Sequence, residues 1–144
     1  MPVNPIPDGY HTVTPYLTVA DAAAQVEFVK QAFNATVKEL IESKDGGVSH
    51  AEVKIGDSII MVGQAKDPTQ TRPGTLYLYV EDTDALYHQA MSAGGTSLME
   101  PANQFYGDRN AGVSDPNGNQ WWIATHVEDM TPEELQRRAA AHGK

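Results

Sequence analysis

Thr75 to Asp84 reads TLYLYVEDTD, and an earlier stretch, Thr14 to Ala23, reads TPYLTVADAA. A shift of about 61 positions lays Thr14 on Thr75, Tyr16 on Tyr77, Leu17 on Leu78, Val19 on Val80 and Asp21 on Asp82. Both copies alternate in the manner of a half-buried strand. Both end at an Asp that precedes a helical pattern, where its carboxylate suits an N-cap. A strand–helix unit that recurs at half the chain length reads as a duplicated fold.

The first copy continues as a helix from about Ala22 to Phe33, with Val26, Val29 and Phe33 on one face and Asn34 as its C-cap. Strands follow over Ala35 to Ser43, Val48 to Ile55 and Ser58 to Gly63, with turns at Asp45-Gly46-Gly47 and Gly56-Asp57. The second copy repeats the order. It has a strand over Thr75 to Val80, a helix from about Thr83 to Ala93, a short strand over Thr96 to Glu100 and a strand within Phe105 to Ser114. The turn Asp115-Pro116-Asn117-Gly118 and a last strand, Gln120 to Thr125, complete it. The first strand is expected over Tyr10 to Val19, where Pro15 requires an edge or a bulge. Met1 to Gly9, with three prolines, reads as irregular. Thr131, Pro132 and Glu134 spell a helix start with a capping box. The expected organisation over 1–144 is one domain. Module one spans about 10–63, a linker 64–74, module two about 75–126 and a C-terminal helix about 131–142.

Nineteen acidic against ten basic residues give a formal net charge of −9, and the basic residues are scattered. Nucleic acid and anionic membranes need clustered Lys and Arg, so neither is an expected partner. The chain has no cysteine, which excludes disulfides, thiolate metal sites and a Cys nucleophile, and fits the cytoplasm. The first residues, MPVNPIPDGYH, do not read as a signal peptide, and no apolar run approaches membrane-helix length.

The stretches TPYLTVADAAAQVEFVKQAF, HAEVKIGDSIIMV, LYLYVEDTDALYHQAMSAGG and GDRNAGVSDPNGNQWWIATH together resemble the vicinal oxygen chelate superfamily, in its PhnB-like branch. That superfamily includes glyoxalase I, bleomycin and fosfomycin resistance proteins and extradiol dioxygenases. The resemblance implies an α+β fold: two βαβββ modules form a cup-shaped mixed sheet with helices outside, here followed by the C-terminal helix. It implies a homodimer, and a small molecule held in the cup. Where relatives bind a metal, four side chains, commonly His and Glu, come from the first and last strands of each module. The Asp that ends each first strand aligns Thr14 and Thr75 with two of these positions. The turn glycines Gly56 and Gly118 align Ile60 and Trp122 with the others, and a shift of one residue gives Met61 on the one strand and Trp121 or Ile123 on the other. None supplies imidazole or carboxylate, so neither a metal nor another cofactor is expected.

The residues expected to line the cup are Thr14, Tyr16, His50, Glu52, Ile60, Thr75, Tyr77, Tyr79 and Trp122. The Tyr and Trp side chains offer broad apolar surface with a polar tip, suited to a planar or amphiphilic ligand. His50 and Glu52 lie two apart on one strand and so share a face. This composition reads as a binding protein that sequesters a natural product or xenobiotic. The alternative is a lyase or isomerase built on His50 and Glu52, where a His–carboxylate pair can move a proton. As a metal pair they would draw on His11, His126 or Glu39. Arg109, beside Asp108, could meet an anionic ligand or form a structural salt bridge.

Overall fold

The computed structural model describes residues 2–143; Met1, at the head of the irregular N-terminal stretch, and Lys144 lie outside the described residues. Eight strands and three α-helices run in the order β1 (Tyr16–Val19), α1 (Ala22–Phe33), β2 (Thr36–Glu42), β3 (Val48–Ile55), β4 (Ser58–Gln64), β5 (Thr75–Tyr79), α2 (Thr83–Ser92), β6 (Thr96–Asn103), β7 (Asp108–Ser114), β8 (Gln120–His126) and α3 (Pro132–Ala141). The strands form two mixed four-stranded sheets of identical topology, β1-β4-β3-β2 and β5-β8-β7-β6. In each, the first strand pairs in parallel with the last. The α+β duplication expected from the two matching stretches is therefore present, with the C-terminal helix after it.

Local chemistry sets the element ends. Asp21 and Asp82 cap α1 and α2 by accepting from the amides of Ala24 and Ala85, at 3.0 and 3.1 Å. Asn34 closes α1 in the left-handed conformation, at φ 58°. Thr131 caps α3, accepting from the Glu134 amide at 3.2 Å, while the Glu134 carboxylate turns to Arg137 and Arg138. Strand β6 runs past Pro101 to Asn103, longer than its sequence suggests. It lies at a sheet edge, where a missing N–H is tolerated, and its register slips between Met99 and Ala102.

One hydrophobic core joins the halves. Helices α1 and α2 contact each other, and each also lies on its own sheet. Val19, Val53, Val62, Val113, Trp121 and Ile123 are buried together with Phe28, Val29 and Phe33 of α1. The Phe33 and Trp121 rings meet across the halves at 4.9 Å. Full burial of side chains of this size contributes about 1.5–3 kcal/mol each.

Beside that core is a buried polar junction. Gln25 of α1 donates to Asp115 at 2.8 Å and accepts from Asn119 at 2.9 Å. Asp115 also accepts from the indole of Trp121 at 2.8 Å. Asn117 exchanges hydrogen bonds with the Asp21 backbone, at 3.0 and 2.9 Å. The turn that reads DPNGN is thus also the tie between the second module and the first helix.

Candidate ligand-binding site

The face of each sheet turned away from the helices carries the polar and aromatic residues. On the first sheet, register sets Tyr16 beside Met61, and Met61 beside Glu52. His50 and Glu52 do meet there, with Nε2 to Oε2 at 3.0 Å. The Tyr16 hydroxyl stands 3.5 Å from His50 Nδ1. The residues before β1 do not extend the strand, as Tyr10 to Pro15 was expected to do. They fold over this face. Tyr10 donates its hydroxyl proton to Glu52, and Lys38 Nζ lies 4.3 Å from the Tyr10 ring centre while donating to the Asp8 carbonyl at 2.9 Å. The recess that remains, about 760 Å³, is walled by Pro5, Ile6, Pro7, Tyr10, His11 and Thr12 as well as by Thr14, Glu39, Glu52 and Met61.

The second sheet presents a different centre. Asp108, 4% exposed, accepts from the Tyr77 hydroxyl at 2.7 Å and the Tyr79 hydroxyl at 3.0 Å. Its other oxygen meets His126 Nδ1 at 3.2 Å, and His126 Nε2 meets Asp129 at 2.7 Å. Asn110 donates to the hydroxyls of Tyr77 and Tyr106, at 3.1 and 2.7 Å. A recess of about 340 Å³ opens here, lined by Tyr77, Met99, Gln104, Tyr106, Asn110 and Trp122. Two glycines make this arrangement possible. Gly107, at φ 95°, admits the chain reversal that brings Glu128 against the start of β7, where a Cβ would strike the Glu128 carbonyl. A Cβ at Gly112 would stand 2.6 Å from the Trp122 ring, so the indole lies flat along β7 only because that side chain is absent.

These contacts shift ionisation in both directions. Burial acts to raise the pKa of Asp108, but hydrogen bonds from Tyr77, His126 and Tyr79 outweigh it and hold the carboxylate below its ordinary value. Burial, then the bond to Asp108, pushes Tyr77 well above the usual phenol range. The bond to Asp108, then burial, raises Tyr79 as well. Asp129, then Asp108, raises His126.

The nine residues expected in one cup are thus divided. Thr14, Glu52 and Met61 line the first recess, and Tyr77 and Trp122 the second. Tyr16, Thr75 and Tyr77 also border a groove of about 510 Å³ between β1 and β5. Thr14 precedes β1 and bonds the His11 carbonyl at 3.1 Å rather than standing on a strand. Ile60 borders the same groove but is 2% exposed and packs in the core, and by register the position equivalent to Trp122 is Met61. The turn glycines mislead because their hairpins differ. Ile55 pairs directly with Ser58, whereas five residues separate the paired Ser114 and Gln120, so the inward alternation leaves the two turns with opposite parity. Arg109 is committed to Asp84 by two bonds of 2.7 and 2.9 Å.

Asp108, Asn110, Tyr106, Met99 and Gln104 escape a reading centred on the repeat, because they lie on β6, on β7 and in the turn between them, where the copies diverge. The signal for two of them is the alternation in DRNAGVS, where Ala111 and Val113 take the core side and leave Asp108 and Asn110 on the other. The four positions from which a metal would be held contain Thr14, Met61, Thr75 and Trp122, whose hydroxyl, thioether and indole groups do not fit a divalent ion that needs imidazole or carboxylate. Among the described residues, no three His, Asp or Glu side chains converge in a metal-binding group.

The model of the Glyoxalase/Bleomycin resistance protein/Dioxygenase superfamily matches residues 10–123. An uncharacterized protein of Mycobacterium tuberculosis, Rv0887c, is 30% identical over 142 residues, covering 91% of this chain and 84% of its own length. Among solved structures, TioX from Micromonospora sp. ML1 superposes with a TM-score of 0.70 at 20% identity, covering 81% of this chain and 99% of its own. A PhnB protein from Bacillus cereus superposes with a TM-score of 0.64 at 17% identity, over 80% of this chain and 99% of its own.

Proposed function

This chain belongs to the glyoxalase/bleomycin resistance protein/dioxygenase superfamily, and on that premise we propose that it is a small-molecule-binding member that needs no metal. The observation that carries the proposal is the residue set Thr14, Met61, Thr75 and Trp122 at the four metal-ligand positions. The aromatic walls of the second recess support the same reading, since Tyr77, Tyr106 and Trp122 offer planar surface with polar tips at one small cavity. His50 and Glu52 support it less directly. Both oxygens of Glu52 already have partners, Tyr10 and His50, so a lyase or isomerase acting there would first have to release the chain's own Tyr10.

Parts of both outward faces remain open to solvent. Tyr79 is 65% exposed and Ile41 55%. A second copy laid over them would bury this surface, and we place the protein in solution as a homodimer that holds a natural product or xenobiotic. Among the described residues, no helix is long and apolar enough to cross a membrane. The absence of cysteine supports a cytoplasmic setting.

Metal analysis of the purified protein, after incubation with zinc, nickel, manganese and iron(II) and then dialysis, tests the central claim. We expect substoichiometric metal throughout, with stabilisation by organic ligands in a thermal-shift screen. One ion per chain retained through dialysis overturns the reading. Light scattering on a sizing column tests the dimer, and a monomer mass at working concentration removes it.

A further inference from the structure

Asn110 is 2% exposed, and its Oδ1 is buried without a hydrogen-bond partner among the described residues. Buried polar oxygens are rarely left this way, and such a vacancy in a recess marks a place for a donor. The orientation of the carboxamide is fixed by its neighbours. Its Nδ2 donates to both Tyr77 and Tyr106. Tyr77 spends its own proton on Asp108, so it must accept from Asn110. Tyr106 accepts as well, at 2.7 Å, and among the described residues its proton has no acceptor. Asn110 and Tyr106 both line the recess, and among the described residues they carry one acceptor without a partner, Asn110 Oδ1, and one donor without an acceptor, the Tyr106 hydroxyl.

We propose that this recess recognises the paired N–H and C=O edge of a planar, uncharged lactam or cyclic imide. The N–H would meet Asn110 Oδ1, and the carbonyl would accept from Tyr106. The ring would lie against Trp122 and Met99, whose flat indole and thioether suit a planar heterocycle. Anionic ligands are disfavoured by Asp108, which Tyr77 links directly to Asn110. Gln104 stands at the rim with only a 3.9 Å contact to the Met99 sulfur, so its carboxamide is free to meet a second polar group on the ligand. The inference rests on the small-molecule-binding reading and gives it a chemical class.

The test compares 2-pyridone with N-methyl-2-pyridone, which keeps the ring and carbonyl but lacks the N–H. Binding is followed by NMR on the full chain, through the Asn110 side-chain amide and the Trp122 indole. The Trp121 indole, held by Asp115, reports that each variant is folded. We expect 2-pyridone to bind about tenfold or more tightly than its methyl analogue, because the analogue leaves Oδ1 unpaired. Asn110→Ala should reduce that ratio to near one. Tyr106→Phe, at a half-exposed position, should weaken both compounds and leave the ratio standing. Equal affinities, absent binding, or shifts centred elsewhere overturn the assignment. A library compound that binds this recess without perturbing the Asn110 amide overturns the lactam class while the binding reading survives. A library with no ligand at all removes both.

Discussion

The two half-cups start from one plan and reach opposite ends. Tyr16 and Tyr77 hold the same register, and Met61 and Trp122 stand beside them on the parallel neighbour strands. Beyond that the copies part. In the first, the carboxylate of Glu52 is met by the chain's own N-terminal segment through Tyr10. In the second, Asp108 is met by two tyrosines of its own sheet and by His126, and an acceptor at Asn110 is left over. The duplicated frame fixes which positions point outward. The segments outside the frame decide whether those positions are covered. The first half-cup is walled by its own chain around a recess of about 760 Å³, and the second keeps an unpaired buried acceptor, among the described residues, beside a recess of about 340 Å³.

The largest effect should come from the hairpins that close the two modules. Asp115→Ala removes the acceptor for Gln25, Trp121 and Asn119 and should cost about 3–5 kcal/mol in urea denaturation. Asp57→Ala, at the exposed equivalent turn, should stay within about 0.5 kcal/mol. Equal costs would break the claim that only the second turn ties the modules together.

Next come the glycines under the aromatic rings. Gly112→Ala forces the half-buried Trp122 to move and should cost about 1–3 kcal/mol while narrowing the second recess. Gly63→Ala meets Tyr16, which is 53% exposed and can swing away, so about 0.5 kcal/mol or less is expected. Thermal melts of the two variants side by side check the difference.

A smaller contrast separates the hydroxyls. Tyr10→Phe leaves one oxygen of buried Glu52 without its partner and should cost about 1–2 kcal/mol. Tyr106→Phe removes an acceptor from Asn110 Nδ2 at a position 37% exposed, where water can take its place, and should cost about 1 kcal/mol or less.

The least effect is one of pH. The folded-state pKa of His126 is raised above 6.5 by Asp129 and Asp108, so its stabilisation is complete below that value and is lost as pH rises through the folded pKa. Wild type should therefore melt above His126→Gln at pH 6 by a margin that shrinks by pH 8. Because the ring is half exposed, the margin should also fall with added salt. A pH-independent margin would sink the assignment.

Much of the frame was legible because it depends on local rules. Alternation placed β3 and β8 to within a residue, and Asp21, Asp82, Asn34 and Thr131 marked helix ends through bonds made within a turn or two of themselves. His50 and Glu52 were recognisable as a pair because a strand sets residues two apart on one side. Ile60 and Met61 were not told apart because parity across a hairpin depends on its loop length, which a glycine alone does not reveal. The Tyr10 to Pro15 segment was read as strand because nothing local distinguishes a strand from an extended stretch that finds no strand partner.

The sequence by itself determined the duplication and the α+β order. Those properties follow from periodicity and side-chain chemistry, which each residue carries with it. Only the tertiary structure decided that the N-terminal segment walls the first half-cup, that Arg109 is spent on Asp84, and that Asn110 keeps a free oxygen. These depend on which groups from distant parts of the chain arrive at one place. A hydrogen bond is satisfied or left open by that arrival, whatever the spacing of its partners along the chain.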